Sequence, residues 1–146
     1  MRDILFRGKR TDTSEWVEGN LVLIKNYEEQ PYQCFIISQL SYLEYGEFDE
    51  MYQVFPETVG QFAGLTDKNG KKIFEGDIVK YKANATYLGK FLECIGQVKC
   101  NKKTASYAVS AKDNIGAKYY DYFPIKCEVI GNIHDNPELL TAERNE

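Results

Sequence analysis

Few residues in this 146-residue chain combine the type and the spacing that chemistry requires. The densest group is GLTDKNGKKIFEGDIVKY, Gly64 to Tyr81. Asp67-Lys68-Asn69-Gly70 begins like a calcium loop. Such a loop needs Gly at its sixth position and Glu at its twelfth, where this chain has Lys72 and Ile78. Asn-Gly is instead a strong hairpin-turn signal, because both residue types tolerate positive φ. Gly64, Gly70 and Lys71-Lys72 do not make a phosphate loop either. The spacing is wrong, no Ser or Thr follows the lysines, and no helix follows to offer its N-terminus.

The remaining reactive residues are sparse. His134-Asp135 is the one His–carboxylate neighbour pair. A hydrolytic triad also needs an activated nucleophile, and no G-x-S-x-G turn or similar device exists. His134 therefore reads as a polar residue at a strand end. Cys34, Cys94, Cys100 and Cys127 contain no C-x-x-C pair. Cys94 and Cys100 fall on one predicted strand and one face, but roughly 20 Å apart at about 3.3 Å per residue. With a single His in the chain, a zinc site is not expected. The cysteines are expected to be reduced and buried. Asn84-Ala85-Thr86 matches a glycosylation sequon by chance. No catalytic residue, cofactor or metal is expected.

Charge is the stronger signal. The net charge is −4, which argues against a nucleic-acid binder, but it is unevenly placed. Residues 1–63 carry 5 basic and 11 acidic side chains, net −6. Residues 64–103 carry 9 lysines and 4 acidic side chains, net +5. Residues 104–146 carry 4 basic and 7 acidic side chains, net −3. The basic middle third has two explanations. It pairs with the acidic thirds, within the chain or between subunits, which is the preferred explanation. Alternatively it is a face for an anionic partner, built from Lys71, Lys72, Lys80, Lys82, Lys99, Lys102 and Lys103. In that case Tyr120 and Tyr122, on one face of the run Tyr119-Tyr120-Asp121-Tyr122-Phe123, would stack on bases of single-stranded nucleic acid. The plainer role for these tyrosines is to cover a barrel wall or a subunit contact.

The elements that must position these residues read as β. Tyr (11) and Phe (8) are abundant and suit half-buried pleated surfaces. RDILFR (2–7) and WVEGNLVLIK (16–25) form a predicted hairpin about a polar turn, with Ile4 and Phe6 on one side and Gly19 marking a bulge or close backbone approach. YQCFIIS (32–38) and Tyr52–Phe55 are further strands; Leu40–Glu50 is irregular. DIVKY (77–81), LECIGQVKC (92–100), ASYAVSA (105–111), KYYDYFPI (118–125) and CEVIGNI (127–133) follow, joined by tight turns. Helix is limited to single turns at Pro56-Glu57-Thr58 and after Asn136-Pro137. The expected fold is mostly β: an SH3-like small barrel extended by N-terminal strands. The division is an acidic N-terminal β region, 1–63, and a barrel region with a short C-terminal helical turn, 64–146. A chain of this length forms one domain or two very small ones. No segment has the ~18 apolar residues of a membrane helix. The start, MRDILFRGKR, lacks the apolar region of a signal peptide, so no membrane association and a cytoplasmic location are expected.

Three blocks carry a family resemblance: Met1–Arg7, Pro56–Tyr81 (PETVGQFAGLTDKNGKKIFEGDIVKY) and Cys127–Leu140 (CEVIGNIHDNPELL). They resemble the YopX-like proteins of phages and prophages of Gram-positive bacteria, and they bracket nearly the whole chain. The resemblance implies a β-rich, barrel-containing fold and a phage accessory protein in an infected or lysogenic cell. It carries over no catalytic or binding residue. The expected function is a non-enzymatic, self-associating interaction module, with a phage or host protein as a further partner. The alternative is a nucleic-acid-binding β-barrel using the lysines and tyrosines above.

Overall fold

The computed structural model describes residues 1–25, 32–38, 50–85, 89–111 and 126–141. The chain is mostly β, and its contacts divide it into two compact units, Met1–Gly64 and Leu65–Glu146. Its helical content among the described residues is two 3-10 turns, Pro56–Thr58 and Pro137–Leu140, where Pro supplies the starting φ.

The first unit is an antiparallel meander. β1 (Phe6–Lys9) pairs with β2 (Trp16–Ile24), β2 with β3 (Gln33–Ser38), and β3 with β4 (Met51–Val54). β5 (Gly60–Thr66) returns along the other side of β1. Side-chain alternation decides the inner face. Cys34, Ile36 and Val54 are buried there, with Val17, Leu21 and Val59 packed against them. Gly19 permits this packing: a Cβ at that position would stand 1.9 Å from the Ile37 carbonyl oxygen. The close backbone approach read from the sequence is present.

Two details of the expected hairpin change. β1 starts at Phe6, not Arg2, and Ile4 is 65% exposed while Leu5 is buried. Residues before Phe6 attach to β5 instead, through Phe62 N–H to the Leu5 carbonyl (2.8 Å) and Arg2 Nη2 to the Ala63 carbonyl (3.1 Å). β5 itself was not expected. GQFAGLT buries two successive residues, Phe62 and Ala63, so it lacks the period-two pattern that marks a strand.

The end of β1 curls back to β4. Arg10 bridges Val54, Thr11 N–H donates to the Gln53 carbonyl (3.0 Å), and Phe55 N–H donates to the Lys9 carbonyl (2.9 Å). The buried Thr58 hydroxyl accepts the Lys9 N–H (2.9 Å) and donates to the Phe55 carbonyl (2.7 Å). Arg10 lies over the Tyr52 ring at 4.1 Å and grips Asp12 with two hydrogen bonds, 2.9 and 2.6 Å.

The second unit opens with a hairpin. The last residues of β5 turn at Asp67–Gly70 into β6 (Lys72–Phe74), which buries Ile73 and Phe74. Asp67 N–H donates to the Lys71 carbonyl (2.8 Å) and Gly70 N–H to the Asp67 carbonyl (3.0 Å). Gly70 alone takes positive φ, +81°; Asn69 does not. The turn is therefore a three-residue loop closed by a left-handed Gly, not a two-residue Asn-Gly turn. The Asp77 carboxylate then accepts the Phe74 N–H (2.8 Å) and is buried at the entry to the next strand.

β7 (Asp77–Ala85), β8 (Lys90–Asn101), β9 (Ser106–Ala111) and β10 (Cys127–Asn132) form an antiparallel sheet in the order β10-β7-β8-β9. Val79, Tyr81, Val98, Val109 and Cys127 are buried. The SH3-like barrel expected in the 64–146 region is not closed by the described strands: no ladder among them joins β9 to β10. The strand expected at 118–125, with Tyr120 and Tyr122, lies outside the described residues, as does most of Leu40–Glu50.

Candidate functional site

β7 is the strand that organises the lysines. Cross-strand register puts Lys80 opposite Ile95 and Lys82 opposite Glu93, with Asn84 opposite Phe91. On the other side Glu128 stands opposite Lys80, and Lys126 lies one position beyond the Cys127–Tyr81 pair. Paired residues project to one face. Strand alternation therefore collects Lys80, Lys82, Phe91, Glu93 and Glu128 together, with Lys126 at the margin. Lys68 joins them from the Asp67–Gly70 turn, which is tied to β10 by Lys68 N–H to the Cys127 carbonyl (2.9 Å). These residues line a cavity of about 540 Å³.

The two carboxylates choose their partners. Glu128 Oε2 lies 2.6 Å from Lys68 Nζ, and Glu93 Oε1 lies 2.7 Å from Lys80 Nζ. Glu93 is thus drawn to the diagonal Lys80, not to Lys82 directly across from it. The hydrogen bond to Glu128 holds the Lys68 ammonium above its ordinary pKa. No acidic side chain lies within ion-pair distance of Lys82 or Lys126 among the described residues. Both are exposed, and Phe91 beside them is 71% exposed.

The sequence-derived lysine set is thereby split. Lys80 and Lys82 sit in the cavity. Lys71, just after the turn, and Lys72, the first residue of β6, are exposed. Lys99 shares the outer face of β8 but is six residues from Glu93, roughly 20 Å along the strand. Lys102 and Lys103 are exposed in the β8–β9 turn, where Asn101 Oδ1 accepts the Lys103 N–H. Charge pairing explains part of the basic third. Lys68 pairs with the C-terminal third, while Lys80 pairs inside the middle third itself. Lys68 and Lys126 were not singled out as part of one site, because only the β7–β10 pairing brings them to Lys82.

The other candidates lie in a turn and on strands. Asn132 Oδ1 accepts the N–H groups of His134 (3.0 Å) and Asp135 (2.9 Å), so the His–Asp pair sits in a side-chain-capped turn. Cys94 and Cys100 both lie on β8, and all four cysteines are free thiols. Burial pushes the Cys34 and Cys127 thiols up, helped by Glu57 at the first and by Asp67 and Asp77 at the second. Among the described residues no group of three His, Cys, Asp or Glu side chains could hold a metal ion.

The family model described as YopX protein matches residues 5–141. The chain belongs to the YopX family. The resemblance carried by the opening, core and closing blocks is therefore correct, and it extends across both units of this YopX family member. The crystal structure of protein EF1440 from Enterococcus faecalis is similar to it, with 25% identity, a TM-score of 0.52, and coverage of 96% of this chain and 99% of that chain. No match was found among curated proteins. No helix among the described residues is long and apolar enough to cross a membrane.

Proposed function

We propose that this YopX family member is a phage-encoded accessory protein acting in the bacterial cytoplasm as a non-enzymatic, self-associating interaction module. One observation carries this. Four large apolar side chains stand exposed at one end of β2–β3–β4: Leu23 (56%), Ile24 (39%), Tyr32 (52%) and Phe55 (37%). Register explains their convergence. Ile24 pairs with Gln33, next to Tyr32, and Val54, next to Phe55, pairs with Cys34. Single exposed apolar residues are ordinary; several at one end of a small sheet, on both faces since Leu23 and Ile24 alternate, give that end an apolar edge suited to contact. A second copy is the favoured occupant because the chain also carries charge complementarity to itself, a −6 first segment against a +5 middle segment.

Sedimentation velocity at micromolar concentration tests this. A dimer or larger species is expected, and Leu23→Glu with Ile24→Glu should shift it to monomer. Association should persist at high salt, since apolar burial is its main driving force. A wild-type monomer throughout the concentration range overturns the proposal.

A further inference from the structure

We propose that the cavity on the outer face of β7, β8 and β10 binds a nucleotide phosphate with its base stacked on Phe91. The dimensions fit: about 540 Å³ falls within the ~300–1,000 Å³ range of small-ligand sites. The electrostatics fit as well. Four lysines and two glutamates line the cavity, and each glutamate engages a lysine there, Glu128 with Lys68 and Glu93 with Lys80. Among the described residues that leaves two ammonium groups, Lys82 on β7 and Lys126, which precedes β10 one position beyond the Cys127–Tyr81 pair.

Two like charges beside one cavity, each without a carboxylate partner among the described residues, repel one another. An anion between Lys82 and Lys126 converts that repulsion into two charge-assisted contacts. The engaged pairs that share the cavity are each net neutral, so the uncompensated positive charge rests on Lys82 and Lys126. Phe91 decides the ligand class. A large apolar ring left 71% exposed, on the same face as the lysines, gives no advantage to a simple inorganic anion. It offers a stacking surface to a flat base, and base–aromatic stacking with a lysine-lined track is how unpaired nucleotides are held. An acidic peptide would use the lysines but not the ring.

A free nucleotide and a nucleotide unit of a single strand present the same chemistry, and both are tested. The full chain is titrated into fluorescein-labelled oligothymidylate at low salt and followed by anisotropy, with free thymidine triphosphate and polyglutamate as competitors. Binding is expected, weakening as salt rises with a log–log slope set by the phosphates contacted, about 0.7 per phosphate for a single strand. Lys82→Glu with Lys126→Glu should lower affinity by tenfold or more and flatten that slope. Phe91→Ala should lower affinity about tenfold, the scale of losing one stacked base. Lys102→Glu with Lys103→Glu, in the distant β8–β9 turn, should change affinity less than the Lys82/Lys126 pair does.

Lys82, Lys126, Lys102, Lys103 and Phe91 are exposed, so the variants are expected to fold; far-UV circular dichroism checks this, and Lys82→Gln with Lys126→Gln provides a milder version. If the triphosphate competes as well as an unlabelled strand of equal phosphate concentration, the source is a free nucleotide; if the strand competes better, it is a single-stranded polymer. Either supports the site. No binding at low salt overturns the proposal. So does binding insensitive to Lys82, Lys126 and Phe91, or competition by polyglutamate equal to that of the strand.

Discussion

The Asp67 carboxylate takes the backbone N–H of Val129 at 3.0 Å, where β10 skips a residue between Val129 and Gly131 in its pairing with β7. Its other oxygen accepts the N–H groups of Asn69 (2.8 Å) and Lys71 (2.9 Å). One buried side chain thus shapes the β5–β6 turn and satisfies a donor on the edge of β10 that faces away from β7. Asp67→Ala leaves these donors without their acceptor, and should cost about 1.5–3 kcal/mol by chemical denaturation, the range for hydrogen bonds to a charged group.

The same contact makes stability depend on pH. Burial acts to raise the Asp67 pKa, but the three backbone donors outweigh it and hold the carboxyl below its ordinary value. The sign follows from linkage. A folded pKa below the unfolded one gives stability that is present above the unfolded value, about 3.9, and is lost as pH falls through the folded value. Denaturant midpoints measured from neutral pH into the acid range should fall more steeply in wild type than in Asp67→Asn.

Two glycines separate steric cost from backbone cost. At Gly19 a Cβ would meet the Ile37 carbonyl oxygen at 1.9 Å. The strands must move apart, and Gly19→Ala should cost about 3 kcal/mol, the upper range for overpacking. At Gly70 nothing lies within 4 Å of the added Cβ, and only φ of +81° opposes it. Gly70→Ala should cost about 1 kcal/mol. Equal losses at the two sites would show that the Gly19 approach is not the constraint described.

The contrast between what was legible in the sequence and what was not has a physical origin. Strands with branched and aromatic alternation, such as QCFIIS and DIVKY, could be placed because period two and β propensity agree. β5 could not, since Phe62 and Ala63 are buried side by side and two glycines dilute the pattern. The curl of the first unit depends on Arg10 meeting Val54, a long-range pairing that no local pattern encodes. The site was half legible for the same reason. Alternation along β7 puts Lys80 and Lys82 on one face, but only the pairing with β10 and the Asp67–Gly70 turn brings in Lys126 and Lys68. Nothing in the sequence says that Glu93 turns to Lys80 and leaves Lys82.

The thiols should react in two classes. Reaction with a disulfide reagent needs an accessible thiolate. Cys34 and Cys127 are buried with pKa values pushed up, whereas Cys94 and Cys100 are half-buried. With an aromatic disulfide reagent at neutral pH, Cys94 and Cys100 should be modified first, and Cys34 and Cys127 only after denaturation. Cys94→Ala with Cys100→Ala should remove the fast phase, and Cys127→Ala should preserve it. A fast phase that vanishes in Cys127→Ala would contradict the burial of that strand.

The Lys80–Glu93 pair gives the sharpest separation of stability from binding. Both side chains are substantially exposed, 42% and 54%, so the ion pair is screened and contributes little to folding. Glu93→Gln should leave the denaturant midpoint close to that of wild type. Its effect on the cavity should be larger, because it removes a carboxylate beside Lys82 and releases Lys80 to face the ligand. Oligothymidylate affinity at low salt should therefore rise several-fold, with a steeper salt dependence as one more ammonium becomes available to phosphate. Glu128→Gln should act in the same direction through Lys68. A glutamate substitution that weakens the fold but leaves affinity unchanged would assign these lysines to the scaffold alone.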